Sequence, residues 1–323
     1  MSAAIAEVRE DALEGAPEPY PTPSMRPTIV EARVWCRHLA ETHYENFHVA
    51  TFFLPGSLKP HFHSLYAFCR TSDDLGDEAG DTALATRLLA EWRGMLHKCF
   101  SEPAQSRHPV FVALEPTIEE KQLPIEPFDD LITAFEQDQV YTHHASLGTL
   151  EEYSRYSANP VGRLVLLVSG YRDAELMRLS DEICTGLQLA NFYQDVVTDW
   201  VDRGRRYLPA DAMERYGVTE EQVAARHFDP NFRAMMEFLV ADARARLTRG
   251  QRIAELVKPD LAATLSLFAK GGHAILDAIE AQSYNVLGTR PVVTRTAKLK
   301  LLGGALLGKL GAGLQTSRGN RNA

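Results

Sequence analysis

The stretch QLANFYQDVVTDWVDRGRRYLP, residues 188–209, sets Asn191, Asp195 and Asp199 four residues apart, with no Gly or Pro from Leu187 to Arg203. An α-helix turns about 100° per residue, so each four-residue step returns to the same face with a drift of about 40°. With Asn191 at zero, Asp195 falls at about 40°, Asp199 at about 80° and Gln188 at about −60°. Leu189, Phe192, Tyr193, Val196 and Trp200 collect between about 100° and 200°. The spacing predicts one helix with a row of oxygen donors on one side and an apolar stripe on the other. An ordinary amphipathic surface helix shares this pattern, so a second observation is needed before it carries chemistry.

That observation is YAFCRTSDDLGDE, residues 66–78. On a helix it brings Tyr66, Arg70, Asp73 and Asp77 within roughly 60° of one another. Asp74 and Glu78 repeat the four-residue spacing. Two carboxylates about 6 Å apart repel by roughly 3 kcal/mol at an effective dielectric of 20, but by only about 0.3 kcal/mol on a solvated face. If the two acid-bearing faces meet in a cleft, four carboxylates need a divalent cation. Carboxylate and amide oxygens suit a hard ion such as Mg²⁺, which completes its shell with waters and substrate phosphates. Phe62, Tyr66 and Cys69 line up with Asp73, so a pocket built here is charged at one end and greasy further in. That suits a diphosphate head on a hydrocarbon tail. Mg²⁺ would stabilise the departing diphosphate as a Lewis acid, and Arg70 can add a forked phosphate contact. An aromatic face can shelter a carbocation; Tyr153 or Tyr156 and Phe192 are the candidates, each of which also reads as core filling.

The 323 residues are 45% hydrophobic and 24% charged, enough for a sizeable core. Cys36, Cys69, Cys99 and Cys184 are widely spaced, with no CxxC pair, and read as reduced thiols of a cytoplasmic protein. No signal peptide or membrane-spanning run is expected. Of the net charge of −9, the residues from 281 onward contribute seven bases and no acids, which leaves −16 on the rest. An acidic body argues against nucleic acid as a partner.

Five prolines between Pro17 and Pro27 in a polar setting mark residues 1–27 as a disordered arm. Residues 28–290 read as one all-α catalytic domain. Helices are expected at Thr28–His43, Leu58–Glu78, Thr82–Phe100, Pro109–Lys121, Pro127–Tyr141, Thr149–Ser169, Ala174–Val201, Thr219–Arg226, Asn231–Val257 and Leu261–Leu287. Residues 291–323 form a basic, glycine-interrupted tail with Leu299, Leu302, Leu306 and Leu310 on one stripe. It supports two readings: peripheral contact with anionic lipid at the inner membrane face, or a loosely ordered segment docked on its own domain. His143-His144 and His61/His63 read as surface or satisfied core histidines, because neither spacing shares a helical face.

RTSDDLGD and NFYQDVVTDWVDRGRRYLP together resemble the squalene/phytoene synthase family, and the resemblance runs from about Glu31 to Leu302. It implies an all-α isoprenoid-synthase-type helical bundle with a central cleft, acting on an isoprenoid diphosphate. By the same resemblance Asp73 and Asp77 match the first aspartate motif, and Asn191, Asp195 and Asp199 the second, holding more than one Mg²⁺. Tyr66, Arg70 and Gln188 match residues lining the diphosphate site, Arg205 and Tyr207 match the GRxYLP element, and Tyr153, with Tyr156 as the alternative, stands where the family has a catalytic tyrosine. Two departures narrow the branch. The family's AGxVG is Ala158-Asn159-Pro160-Val161-Gly162 here, and Gly272 stands where the family carries a tyrosine before Ile275-Leu276-Asp277. Both are similar to the hydroxysqualene synthase branch of bacterial hopanoid pathways, which ionises presqualene diphosphate and quenches the rearranged cation with water. That implies handover from a presqualene diphosphate synthase. No GxGxxG follows a strand, and no NADPH is expected. A non-catalytic scaffold would be expected to lose its acids, and all five motif residues are present.

Overall fold

The computed structural model describes residues 12–43, 54–141, 143–294 and 296–297. Among these residues there is no strand; one isolated bridge pairs His143 with Arg206. The all-α expectation holds. The chain divides into two compact units, Met1–Tyr44 with Pro60–Val140, and Glu45–Lys59 with Tyr141–Ala323.

The first unit carries α1 (Ile29–His43), α2 (Lys59–Asp77), α3 (Thr82–Ser101), α4 (Pro109–Lys121) and α5 (Glu126–Asp138). Local chemistry sets the starts. The Asp81 side chain accepts from the Leu84 N–H to cap α3, and Pro109 opens α4 where a missing N–H costs nothing. The apolar face of α2 is pinned by aromatic packing. Phe68 stacks on Trp92 with centroids 5.7 Å apart and meets Phe128 edge-on at 5.0 Å. The Trp92 indole N–H donates to Ser72 Oγ at 2.8 Å, and Ser72 donates to the Phe68 carbonyl. Each fully buried ring of this kind contributes on the order of 1.5–3 kcal/mol. Their packing sets the rotation of α2 and leaves Asp73 half-buried and Asp77 exposed.

Residues 12–27 correct the expectation of a disordered arm. Leu13 and Tyr20 are buried, and Arg26 pairs with Glu115 at 2.7 Å. The segment folds on itself through Thr22 N–H to the Ala12 carbonyl at 3.0 Å. Its polar, proline-rich composition hid two buried anchors. Residues 1–11 lie outside the described residues.

The second unit carries α6 (Leu147–Ser157), α7 (Asn159–Val168), α8 (Ala174–Gln194), α9 (Ala210–Tyr216), α10 (Glu220–Ala224), α11 (Pro230–Gly250) and α12 (Pro259–Ala281). Here α8 packs against α7, α11 and α12. The single helix expected at 149–169 is two, because the chain breaks at Ala158 and restarts on Asn159-Pro160. Close approach explains two glycines. A Cβ on Gly162 would lie 2.5 Å from Cys184 Sγ of α8, and one on Gly272 would lie 2.7 Å from Leu247 Cδ1 of α11. All four cysteines are free. No described helix is long and apolar enough to cross a membrane, and the basic tail from residue 298 onward lies outside the described residues.

Candidate active site

The first acid motif occupies the last two turns of α2. Arg70 organises it. Its Nε donates to Asp74 Oδ2 at 2.8 Å and its Nη1 to Asp73 Oδ2 at 3.2 Å, while Nη2 lies 3.5 Å from Glu78 Oε1. Burial pulls the Arg70 pKa down, but Asp74 and Asp73 together outweigh it and hold the guanidinium firmly charged. Asp74 is 2% exposed, so it is a buried anchor for Arg70, whereas Asp73 and Asp77 keep access to solvent. Tyr66, one turn earlier, is half-buried, and Phe62 is buried. Burial pushes the Cys69 thiol up to about 12, which removes it as a thiolate.

The second motif departs from the expected continuous helix. α8 stops at Gln194, and Asp195 caps it with φ −103° and ψ 15°, its N–H bonded to the Asn191 carbonyl at 2.9 Å. The chain then passes into a π-helical turn, Thr198–Asp202. A wider turn changes the angular step between residues, so the wheel angle drawn for Asp199 does not apply. Along the row, Asn191 is exposed, Asp195 half-buried and Asp199 buried. Wide turns of this kind recur where side chains are re-aimed for function. The Asp199 carbonyl accepts from the Arg205 N–H at 2.8 Å, which ties the start of the GRRYLP run to the motif. Gln188, one turn before Asn191, is half-buried, as is the Arg205 side chain.

An aromatic cluster stands beside this motif. Phe192 and Tyr207 stack at 3.8 Å with planes 10° apart. Tyr153 of α6 lies 6.1 Å from Phe192 and 6.0 Å from Tyr207. His144 closes the group, stacked on Tyr207 at 5.7 Å. Burial, then the neighbouring His143, depress the His144 pKa and favour its neutral form. Tyr153 is buried in this cluster; Tyr156 is only half-buried, with the Arg155 guanidinium 5.9 Å from its ring centre. Of the two candidate tyrosines, Tyr153 is the one whose ring joins Phe192 and Tyr207.

Sequence reasoning missed Arg290. Its Nη2 donates to Asp195 Oδ2 at 2.9 Å and to Gln194 Oε1 at 3.2 Å, and its Nε donates to Asp195 Oδ1. The bond to Asp195 raises the Arg290 pKa. Buried Gln194 holds the segment in place by donating to the Pro291 carbonyl at 2.6 Å. With 95 residues between Arg290 and Asp195, no local spacing signals the pair. Among the described residues, no three His, Cys, Asp or Glu side chains gather into a ready-made metal site. Each motif taken by itself offers only oxygen donors, Asp73 and Asp77 in the first and Asn191, Asp195 and Asp199 in the second, the ligand type that suits a hard cation.

Residues 40–297 match the squalene/phytoene synthase family profile. Among solved structures, squalene synthase HpnC from Alicyclobacillus acidocaldarius is 43% identical, with a TM-score of 0.75 over 80% of this chain and 96% of that one. The 15-cis-phytoene synthase of Synechocystis sp. is 29% identical over 301 residues, 88% of each chain. The hydroxysqualene synthase of Rhodopseudomonas palustris is 30% identical over 217 residues, covering 66% of this chain and 72% of that one.

Proposed function

Because the chain belongs to the squalene/phytoene synthase family, whose enzymes act on isoprenoid diphosphates, we propose that it is a Mg²⁺-dependent hydroxysqualene synthase converting presqualene diphosphate and water to hydroxysqualene and diphosphate. Asp73 and Asp77, with Asn191, Asp195 and Asp199, are the residues that would hold the metal. Bound Mg²⁺ supplies Lewis-acid stabilisation of the departing diphosphate. Arg70 and Arg205 orient the phosphate oxygens, alongside Tyr66 and Gln188. As the carbon–oxygen bond breaks, its electron pair leaves with the diphosphate. The faces of Tyr153, Phe192 and Tyr207 stabilise the cyclopropylcarbinyl cation and its rearranged form. Water then bonds to the cationic carbon and loses a proton to solvent.

The observation that supports this branch is Gly272. The family places a tyrosine there, whereas here a Cβ would stand 2.7 Å from Leu247 Cδ1 and 3.0 Å from Leu187 Cδ2, so any larger side chain has to push those leucine ends aside. With glycine at this position, the chain supplies no phenol there. A second reading, head-to-head condensation of two prenyl diphosphates, is favoured by the likeness to a phytoene synthase along 88% of the chain. Incubation with Mg²⁺ and no NADPH separates them. Hydroxysqualene from presqualene diphosphate, with no product from farnesyl or geranylgeranyl diphosphate, is the expected result. Presqualene diphosphate or phytoene made from those shorter substrates overturns it.

A further inference from the structure

Residues 12–27 lie upstream of the stretch that matches the family, 40–297, yet they reach the first acid motif. Tyr20 is 1% exposed and its hydroxyl donates to Asp74 Oδ2. That oxygen also accepts from Arg70 Nε at 2.8 Å, and Arg70 Nη1 continues to Asp73 Oδ2 at 3.2 Å. The order of contacts is Tyr20, Asp74, Arg70, Asp73. Burial first, and the bond to Asp74 second, drive the Tyr20 pKa above its ordinary value, so the hydroxyl remains a donor.

The tyrosine is itself held. His108, fully buried, accepts from the Val110 N–H on Nδ1 at 3.3 Å, so its proton sits on Nε2 and is donated to the Tyr20 carbonyl at 3.1 Å. Trp35 meets the Tyr20 ring edge-on at 6.4 Å. Arg107 Nη1 donates to the Ser24 carbonyl at 3.4 Å, and Arg26 grips Glu115 at 2.7 Å. These anchors, at Tyr20 and just after it, deliver a hydroxyl to a carboxylate that has almost no water to turn to. A buried carboxylate holds one orientation only when its acceptor sites are met. With Tyr20 on one side, Asp74 presents a fixed edge to Arg70, and Arg70 keeps a donor aimed at Asp73.

We propose that Tyr20 is a positioning residue for Arg70, acting through Asp74, and that the N-terminal strap is part of the diphosphate-binding unit. The inference rests on the reading of Arg70 as a diphosphate ligand. Its test is calorimetric titration of inorganic pyrophosphate with Mg²⁺ into the full chain. Tyr20→Phe keeps the ring and removes the bond. Its pyrophosphate dissociation constant is expected to rise roughly tenfold, the size of one charge-assisted hydrogen bond, and KM for the isoprenoid diphosphate to rise with it more than kcat falls. Arg26→Ala removes an ion pair of the strap away from Tyr20, which His108 still holds, and is expected to bind within about twofold of wild type. Tyr20→Phe binding as wild type does, at whatever melting temperature, reduces Tyr20 to packing and overturns the proposal. Wild type failing to bind pyrophosphate at all overturns the diphosphate reading beneath it as well, so the two failures are distinguishable. If Tyr20→Phe does not fold, wild-type amide exchange decides, because coupling is reciprocal. Pyrophosphate with Mg²⁺ should slow exchange across residues 12–27, and unchanged protection overturns the proposal.

Discussion

Lowering the pH from 7 to 5 should destabilise the first unit most strongly through one imidazole, His108, with buried His61 acting in the same direction. This side chain is fully buried among Trp35, Trp92 and Phe111, with ring centroids 5.7, 4.9 and 6.1 Å away. Burial, only partly offset by the bond to the Tyr20 carbonyl, pushes its pKa from 6.5 down to about 3. Between those values the unfolded chain binds a proton that the folded chain does not. Stability therefore falls as pH drops through 6.5 and stops falling from this cause below about 3. The slope in that window approaches about 1.4 kcal/mol per pH unit, and the step from pH 7 to pH 5 integrates to about 2 kcal/mol. Urea unfolding of wild type and His108→Gln at both pH values isolates the effect, since a glutamine amide can still donate to the Tyr20 carbonyl and every other titrating group is common to both. Wild type should lose about 2 kcal/mol more than the variant. Equal losses would refute the claim that a buried neutral imidazole clamps the strap.

Gly272→Ala should cost about 1–3 kcal/mol by overpacking against Leu247, of which the helix preference of alanine returns about 1 kcal/mol; a raised melting temperature would contradict the close helix approach drawn here. Arg290→Ala should lower the Mg²⁺ concentration for half-maximal activity about fivefold, because a guanidinium forked on Asp195 opposes a cation on the same carboxylate. Magnesium titration of turnover measures this, and no shift would mean that Asp195 does not bind the ion.

The helical class and most element starts were legible because each rests on neighbours in sequence. Asp81 before Leu84 is a cap, Pro109 is a first-turn proline, and the apolar repeat of α2 is visible without coordinates. What escaped was non-local or cooperative. Arg290 meets Asp195 from 95 residues away. Tyr20, in a proline-rich polar run, finds a partner 54 residues on. The π-helical turn at Thr198–Asp202 has no composition signal, since its sequence suits an ordinary helix until Gly204. The break between α6 and α7 is different: Asn159-Pro160 announces it, and the apolar repeat on either side outweighed that cue. At the candidate site, residue types and spacing pointed to carboxylate motifs and an aromatic pair, while Asp74 as an anchor and Tyr207 stacked on Phe192 required the fold.

The claim at the centre of this account is that the two acid motifs, with Mg²⁺, ionise an isoprenoid diphosphate. Diphosphate release from presqualene diphosphate, followed with and without Mg²⁺ in wild type, Asp77→Ala and Asp199→Ala, tests it most directly. The account predicts release by wild type only with Mg²⁺ and a loss of at least about 100-fold in each variant, the scale of removing charge stabilisation from a leaving group. Release that needs no metal, or survives both substitutions, would contradict it.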